Sequence, residues 1–214
     1  MLVAAIVGVD LRSTIDMDAT IKSYPVDRKS IEDLFKSIIT TPVDDGVNFE
    51  LKKIESIREE DQYNGYRVSI EAFFDNARIP IKVDITTGDE IIPKEVTYRF
   101  DLLLENRSID IIAYNIETVI AEKFETIITR GITNTRMRDF YDIYILLKLQ
   151  GDNIRDHVLS EAVSKVTENR KSSSTLIDAQ LILNELKNDN ILQDHWLIYQ
   201  KKNSYADYIS WEDI

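Results

Sequence analysis

The chain of 214 residues contains no cysteine and only two histidines, six glycines and four prolines. Without cysteine it has no disulfide, no thiol nucleophile and no thiolate metal site. The histidines, His157 and His195, lie far apart in the sequence, which argues against a zinc site. The scarcity of glycine and proline leaves little room for long flexible linkers. The chain is therefore expected to use neither disulfides nor zinc.

Long hydrophobic runs and several widespread enzyme motifs are also missing. The apolar opening, Met1 to Val9, has no basic segment before it and is far shorter than the ~20 residues that a membrane span needs. The sequence holds no Gly-x-Ser-x-Gly, no Gly-x-x-x-x-Gly-Lys-Ser/Thr and no Gly-x-Gly-x-x-Gly. We therefore expect a cytoplasmic protein with no membrane partner, and no nucleophile elbow, P-loop or dinucleotide-binding loop.

Acidic residues outnumber basic ones, with 38 Asp and Glu against 26 Lys and Arg and a net charge of −12. With 43% hydrophobic and 30% charged residues, the composition is typical of a soluble globular protein. The negative charge would repel a nucleic acid unless basic residues gather locally. So many carboxylates suit a protein that holds a divalent cation, although most of them are expected to lie on solvated surface.

Hydrophobic periodicity predicts a strand-rich first part of the chain. Strict alternation predicts a strand over residues 14–22, and Asp27 is placed to cap a helix that carries an apolar stripe and ends before Pro42. Five further strand-like runs follow: Val47 to Ile57, Tyr66 to Phe74, Ile79 to Thr86, Thr97 to Leu104 and Ser108 to Tyr114. They predict a central sheet with at least one helix on it.

From Asn115 onward the period is helical. The candidate helices are Ile116 to Arg130, Arg136 to Leu149, Asp152 to Thr167, Ser174 to Asn188 and Ile191 to about Tyr205. The sequence therefore predicts an α+β fold, with a core over residues 1–114 and a helical domain over residues 115–214. Because the boundary is a change of period and not a linker, the two parts are expected to pack together.

Three aspartates stand on the polar faces of two predicted strands. Asp16 and Asp18 alternate with apolar residues, so their side chains project from one face about 6.5 to 7 Å apart. Asp84 stands on the polar face of the strand from Ile79 to Thr86. If these strands are neighbours, the three carboxylates could bind one or two Mg²⁺ ions, as phosphoryl transfer requires. The alternative is that they lie on a solvated sheet face.

The helical part contributes the candidate cations. Lys123 lies amid the apolar stripe of its predicted helix and could act as a point charge on a triphosphate; the alternative is surface pairing with neighbouring glutamates. Arg130, Arg136 and Arg138 form the densest basic stretch and could grip phosphates or an RNA backbone. Asp139 and Asp142, three residues apart on one helical face, could pair with these arginines or hold Lys123 in place.

Four motifs now stand in order: Arg12-Ser-Thr-Ile-Asp-Met-Asp18, Lys82-Val-Asp-Ile85, Ala121-Glu-Lys123 continuing to Arg130, and Arg138-Asp-Phe-Tyr-Asp-Ile-Tyr144. With them the chain, from Met1 to about Leu149, resembles the AbiEii/AbiGii toxin family. These are nucleotidyltransferase-like toxins of type IV toxin–antitoxin and phage-abortive (abortive-infection) systems. The resemblance implies a polymerase-β-like nucleotidyltransferase core with a mixed sheet, followed by a C-terminal helical bundle.

The resemblance also implies roles for individual residues. Asp16 and Asp18 would be the metal-binding pair, and Asp84 the third carboxylate, which also helps to activate the attacking hydroxyl. Lys123 would contact the nucleotide phosphates, and Arg130, Asp139 and Asp142 match the remaining motif positions. The implied reaction uses Mg²⁺ or Mn²⁺ to transfer a nucleoside monophosphate from a nucleoside triphosphate to a hydroxyl of RNA, such as tRNA, or of a protein. The implied partner is an antitoxin encoded nearby.

One family feature departs from this chain. Family members carry a Gly-Gly or Gly-Ser pair shortly before the Asp-x-Asp strand, and that pair would fall just upstream of Met1. The apolar opening also lacks an N-cap, so the core is expected to be truncated at its N-terminus. The missing pair leaves open a catalytically silent nucleotidyltransferase-fold binding protein. A separate alternative is a metal-dependent nuclease that uses the same carboxylates.

Overall fold

The computed structural model describes residues 2–8, 10–12, 16–22, 25, 27–57, 65–86, 91, 93–102 and 106–214, with residue 16 described for its backbone alone. The chain forms two compact units. The first consists of Met1 and Thr14–Asp89, and the second of Leu2–Ser13 and Glu90–Ile214. No helix in the described ranges is long and apolar enough to cross a membrane.

The first unit contains a mixed four-stranded sheet. Its strands are β1 (Asp16–Thr20), β2 (Asn48–Ile57), β3 (Gly65–Phe74) and β4 (Ala77–Thr86), in the spatial order β1-β4-β3-β2. β1 runs parallel to β4, whereas β4, β3 and β2 pair antiparallel. The first strand therefore lies beside the strand that carries Asp84, as the sequence hypothesis required.

One face of this sheet packs against helix α2 (Arg28–Ile39). Asp27 caps the helix by accepting hydrogen bonds from the amides of Lys29 at 2.9 Å and Ser30 at 3.0 Å, as predicted. Ile31 and Phe35 are buried on the side of the helix that joins the apolar cluster. The other buried members come from the strands: Ile54, Val68, Ile70, Val83 and Ile85. Because side chains alternate along a strand, burial of this set leaves the polar residues on the opposite face.

The second unit combines a short ribbon with a helical assembly. Strands β5 (Val96–Asp101) and β6 (Ser108–Ala113) form a two-stranded antiparallel sheet. The α-helices are α1 (Leu2–Val7), α3 (Ile116–Arg130), α4 (Met137–Gln150), α5 (Asp156–Asn169), α6 (Ser173–Ile177), α7 (Ala179–Asn188) and α8 (Asn190–Lys202). Short 3-10 turns cover Gly131–Thr133, Gly151–Asn153, Ser204–Ala206 and Trp211–Asp213.

The core of the second unit is centred on α4. Tyr141, Ile145 and Leu146 of this helix are almost inaccessible to solvent, and Trp196 of α8 is buried beside them. The aromatic C-terminal segment closes this core, since Phe140 and Trp211 have ring centroids 5.6 Å apart and Tyr141 and Tyr205 have theirs 4.8 Å apart. The tyrosine- and tryptophan-rich C-terminal segment thus packs against the helices.

The α+β class and the mixed sheet are confirmed, and two details differ from the sequence expectation. The strands around Val96 and Ser108 pair with each other in a separate ribbon and do not extend the central sheet in the described residues. The helix predicted over 174–188 is interrupted at Asp178, a residue type with low helix propensity. The change from strand to helix lies between Ala113 and Ile116, where the sequence predicts the end of the core. The two compact units divide the chain at other places, between residues 13 and 14 and between residues 89 and 90.

A buried ion pair ties the segment after α1 to α4. Arg12 donates from Nε to Asp142 Oδ1 at 2.8 Å and from Nη2 to Asp142 Oδ2 at 3.0 Å. Burial by itself raises the pKa of the Asp142 carboxyl, but the hydrogen bonds from Arg12 and the nearby charges outweigh it, so this pKa lies below its ordinary value. The ionised carboxylate is therefore the form that stabilises the fold.

We expect Leu146→Ala to lower the free energy of unfolding by about 2–5 kcal/mol, because it leaves a cavity in the core of α4. Its neighbour Leu147 is 47% exposed and Leu146 is fully buried, so Leu147→Ala is a matched control with an expected loss below about 0.5 kcal/mol. Both tryptophans, Trp196 and Trp211, belong to this unit, so urea unfolding followed by tryptophan fluorescence reports it selectively. Equal losses in the two variants would contradict the assigned core.

We expect Asp142→Asn to make the second unit less stable at pH 7 and to lose that disadvantage in acid. A carboxyl whose pKa is lowered by folding stabilises above its unfolded pKa of about 3.9, and this contribution is lost as the pH falls through the folded pKa. The measurement is tryptophan-detected urea unfolding of wild type and variant from pH 7 to pH 3. The exposed Asp152→Asn serves as control, and a difference between wild type and Asp142→Asn that stays constant with pH would refute the linkage.

Candidate functional site

The pairing of β1 with β4 brings the aspartates of the two strands side by side. In the parallel register Asp18 is the partner of Asp84, Asp16 is the partner of Lys82, and Thr20 is the partner of Thr86. Neighbouring strands lie about 4.8 Å apart, and residues two apart on a strand share a face. Asp18 and Asp84 therefore project side by side from the face opposite α2.

Polar groups continue across this face on β4 and β3. The hydroxyls of Thr20 and Thr86 lie 3.2 Å apart at the end of the β1–β4 pairing. On β3, Arg67 is the register partner of Asp84 and Ser69 is the partner of Lys82. The face thus presents carboxylates, hydroxyls and basic groups in neighbouring rows.

Arg67 holds the Asp84 carboxylate by both oxygens. Its Nε donates to Oδ1 at 2.7 Å and its Nη2 donates to Oδ2 at 2.6 Å. The Asp84 side chain is 27% exposed and that of Arg67 is 43% exposed. A pair in this environment contributes about 0–1 kcal/mol to stability, but the two-point contact fixes the direction of the carboxylate.

The donor set suits a hard divalent cation. Carboxylate oxygens are the ligands that Mg²⁺ prefers, and each keeps lone pairs beyond those that Arg67 engages. In the parts of the chain that the structure describes, no group of three His, Asp or Glu side chains is positioned to hold a metal. The side chain of Asp16 lies outside those parts, so Asp18 and Asp84 are the described portion of the candidate site.

A second cluster of charged groups lies in the second unit. Lys123 of α3 donates to Asp139 Oδ1 at 2.9 Å and lies 2.7 Å from Asp142 Oδ2, so one ammonium joins both carboxylates of α4. Asp142 also receives the two hydrogen bonds from Arg12. The suggestion that Asp139 and Asp142 hold Lys123 in place agrees with these distances, and the alternative of surface pairing with neighbouring glutamates is not what the geometry shows.

The same cluster carries an excess of positive charge. Arg136 Nε lies 3.0 Å from Asp139 Oδ2 and forms a salt bridge with it. This contact is not a hydrogen bond, and among the described residues Asp139 Oδ2 has no hydrogen-bonding partner. Three cationic side chains, from Arg12, Lys123 and Arg136, thus surround the two carboxylates of Asp139 and Asp142. An ammonium has three N–H donors, and the side chain of Lys123 is 18% exposed.

The basic stretch between α3 and α4 is solvent-facing. Arg130 ends α3, and its side chain is exposed, as are those of Arg136 and Arg138 at the start of α4. Asn134, buried between them, accepts a hydrogen bond from the amide of Arg136 at 2.8 Å and so shapes the turn. These arginines are displayed on a turn that the buried Asn134 anchors.

Two residues of these clusters had no assigned role in the sequence hypothesis. Arg67 lies on a predicted strand whose alternation places Arg67, Ser69 and Glu71 on the polar face, but the strand order that brings Arg67 to Asp84 is not readable from that pattern. Arg12 belongs to the first motif, yet its partner Asp142 lies 130 residues further along the chain. Both pairings depend on long-range contacts.

The family model described as "Nucleotidyl transferase AbiEii toxin, Type IV TA system" matches residues 1–213. No curated protein matches the chain. Among solved structures, JHP933 from Helicobacter pylori is 15% identical with a TM-score of 0.45, over 94% of this chain and 87% of that one.

A second structure, described as a candidate nucleotidyltransferase from H. pylori, is 17% identical with a TM-score of 0.43, over 91% of this chain and 75% of that one. Both likenesses are loose, and the assignment rests on the family match. This match confirms the resemblance drawn from the four motifs and the expected enzyme class. Since it spans nearly the whole sequence, the chain belongs to the AbiEii family of nucleotidyltransferase toxins of type IV toxin–antitoxin systems.

Proposed function

We propose that this chain transfers a nucleoside monophosphate from a nucleoside triphosphate to a hydroxyl of RNA, with tRNA as the acceptor to test first. The observation that carries the proposal is the register of β1 and β4, which sets Asp18 beside Asp84 on a polar face. Asp16, Asp18 and Asp84 would hold Mg²⁺ or Mn²⁺. When bound, the cation would neutralise the charge that develops on the phosphate oxygens.

The proposed chemistry is an in-line displacement. An acceptor hydroxyl oxygen attacks the α-phosphorus, the bond between the α-phosphorus and the bridging oxygen breaks, and pyrophosphate leaves. Asp84 is proposed to help activate the hydroxyl, whose proton passes to a carboxylate or to solvent. The two-point contact from Arg67 leaves Asp84 with further lone pairs for this task.

The charged cluster of the second unit supports a role in phosphate binding. Two of the three N–H donors of the Lys123 ammonium contact Asp139 and Asp142, so the third can donate to a phosphate oxygen. We propose that Asp139 and Asp142 orient Lys123 and that the excess positive charge of the cluster favours an anion. Arg130 is proposed to contact the nucleotide, and the exposed Arg136 and Arg138 to contact phosphates or the RNA backbone.

The setting of this reaction is proposed from the family. A type IV toxin–antitoxin system includes an antitoxin, and we propose that this chain acts in the cytoplasm, in phage defence, with an antitoxin encoded nearby. Because the net charge is −12, an RNA acceptor would have to approach through a local basic stretch such as Arg130 to Arg138. Such binding would weaken as the salt concentration rises.

We expect Asp18→Asn and Asp84→Asn each to reduce nucleotide transfer at least about 100-fold, because several kcal/mol of transition-state stabilisation would be lost with the metal ligand. The measurement is transfer of α-labelled nucleotides, from each of the four triphosphates, onto total cellular RNA with Mg²⁺. Asp33→Asn, an exposed aspartate on α2, is the matched control and should keep wild-type activity.

The outcomes separate the three candidate functions. Equal transfer in wild type and both aspartate variants would sink the proposed role of the carboxylates. Cleavage of RNA without added triphosphate would favour the metal-dependent nuclease. Mg²⁺-dependent binding of a triphosphate without release of pyrophosphate would favour the catalytically silent binding protein.

We expect Lys123→Ala to have two separable effects. It should raise KM for the triphosphate, and it should lower the free energy of unfolding by roughly 3 kcal/mol. This loss is at the lower end for removing one partner of a buried ion pair, because Arg12 still compensates Asp142. Arg130→Ala, at an exposed position, should raise KM without loss of stability. KM is measured from initial rates, under conditions in which tryptophan fluorescence shows that the variants are folded. An unchanged KM in folded Lys123→Ala would refute the phosphate contact.

A further inference from the structure

We propose that Arg67 is a positioning residue that orients the Asp84 carboxylate toward a bound divalent cation. This proposal rests on the proposed function, because it assigns Asp84 to the metal site. Arg67 lies in β3, outside the four sequence motifs, and acts through Asp84 and not on the nucleotide.

Asp84 lies in the middle of a row of ionisable residues that crosses the sheet. Its neighbour on β1 is Asp18 and its neighbour on β3 is Arg67. Beyond Arg67, the register partner on β2 is Glu55. The row therefore reads acid, acid, base, acid, and Arg67 has a carboxylate on each side.

Arg67 uses its fork-shaped group on Asp84, with donors at 2.7 and 2.6 Å to the two oxygens. Glu55 accepts instead from Lys53 Nζ at 2.6 Å, and this hydrogen bond is the chief reason that the pKa of Glu55 lies below its usual value. Because Lys53 engages Glu55, the guanidinium can bind Asp84 with both donors of its edge. Arg67 therefore makes its two-point contact on the β4 side of the row.

The pair is better suited to orientation than to stability. Both partners are partly exposed, so water screens their attraction and the pair adds little to the free energy of unfolding. A carboxylate held at one oxygen or at none samples several rotamers, whereas contact at both oxygens fixes its plane. Partners that orient a metal-binding carboxylate in this way commonly strengthen metal binding.

Charge and orientation predict opposite effects of removing Arg67. A positive group beside a metal site repels the cation, so Arg67→Ala would tighten metal binding if charge dominated. If orientation dominates, both Arg67→Ala and Arg67→Lys weaken binding, because an ammonium is a point charge that cannot grip two oxygens in one plane. The two substitutions therefore distinguish the explanations.

The test measures Mn²⁺ affinity from the electron paramagnetic resonance signal of free Mn²⁺, with the full chain and no nucleotide. Sites lost in Asp18→Asn define the metal site among the surface carboxylates. We expect affinity at that site to fall about 10- to 100-fold in Arg67→Ala and by a smaller factor in Arg67→Lys. Arg78→Ala removes an exposed cation from the same face near the start of β4, away from Asp84, and should leave the affinity within about twofold, the matched control for loss of charge.

The steady-state readout is a fall in kcat for Arg67→Ala with KM for the triphosphate nearly unchanged. Tighter Mn²⁺ binding in Arg67→Ala, or affinity and kcat equal to those of Arg78→Ala, would overturn the proposal. So would a rise in KM that accounts for the whole loss of rate, since Arg67 would then bind the triphosphate directly. Circular dichroism checks that each variant is folded.

Failure of the proposed function has a different signature. If the wild type binds Mn²⁺ at the site that Asp18→Asn removes, yet transfers no nucleotide, the proposed function fails while the Mn²⁺ comparison still decides the role of Arg67. If the wild type binds no Mn²⁺ there, Asp84 has no cation to face and the positioning role is overturned as well.

Discussion

The parallel pairing of β1 with β4 is the constraint on which the candidate chemistry depends. Side chains alternate along a strand, so a shift of one residue would send Asp18 to the opposite face and bring Met17 or Ala19 into its place. Such a slip would bury a carboxylate against α2 and expose apolar groups to water. The apolar side chains of Val83 and Ile85 thus lock the register through their burial, and the carboxylates inherit their positions from it.

The second unit uses buried charge in another way. Arg12 and Lys123 compensate Asp142 in a cluster that excludes most water, and the removal of one member weakens the charge compensation of the others. The cluster therefore couples local stability to the position of Lys123. Its excess of positive charge, with Arg136 at the edge, matches the anionic substrate of a nucleotidyltransferase.

Local sequence signals predicted most of the elements. Strict alternation located β1 and β4, and Asp27 marked the start of α2 because a short acidic side chain satisfies free amides at a helix end. Periodicity was less informative where elements pair over long distances. The separate β5–β6 ribbon and the contact of Arg67 with Asp84 depend on strand order, which alternation alone does not encode.

The sequence by itself determined which side chains stand on polar strand faces and which motifs place the chain in the AbiEii family. These are properties of spacing, because the periods of strand and helix are set by backbone geometry. Only the tertiary structure decided that Asp18 faces Asp84, that Arg67 holds Asp84 by both oxygens, and that Arg12 reaches Asp142. Such partners are chosen when the fold buries its apolar faces, and hydrophobic burial is non-directional, so the pairing of charges follows from the packing as a whole.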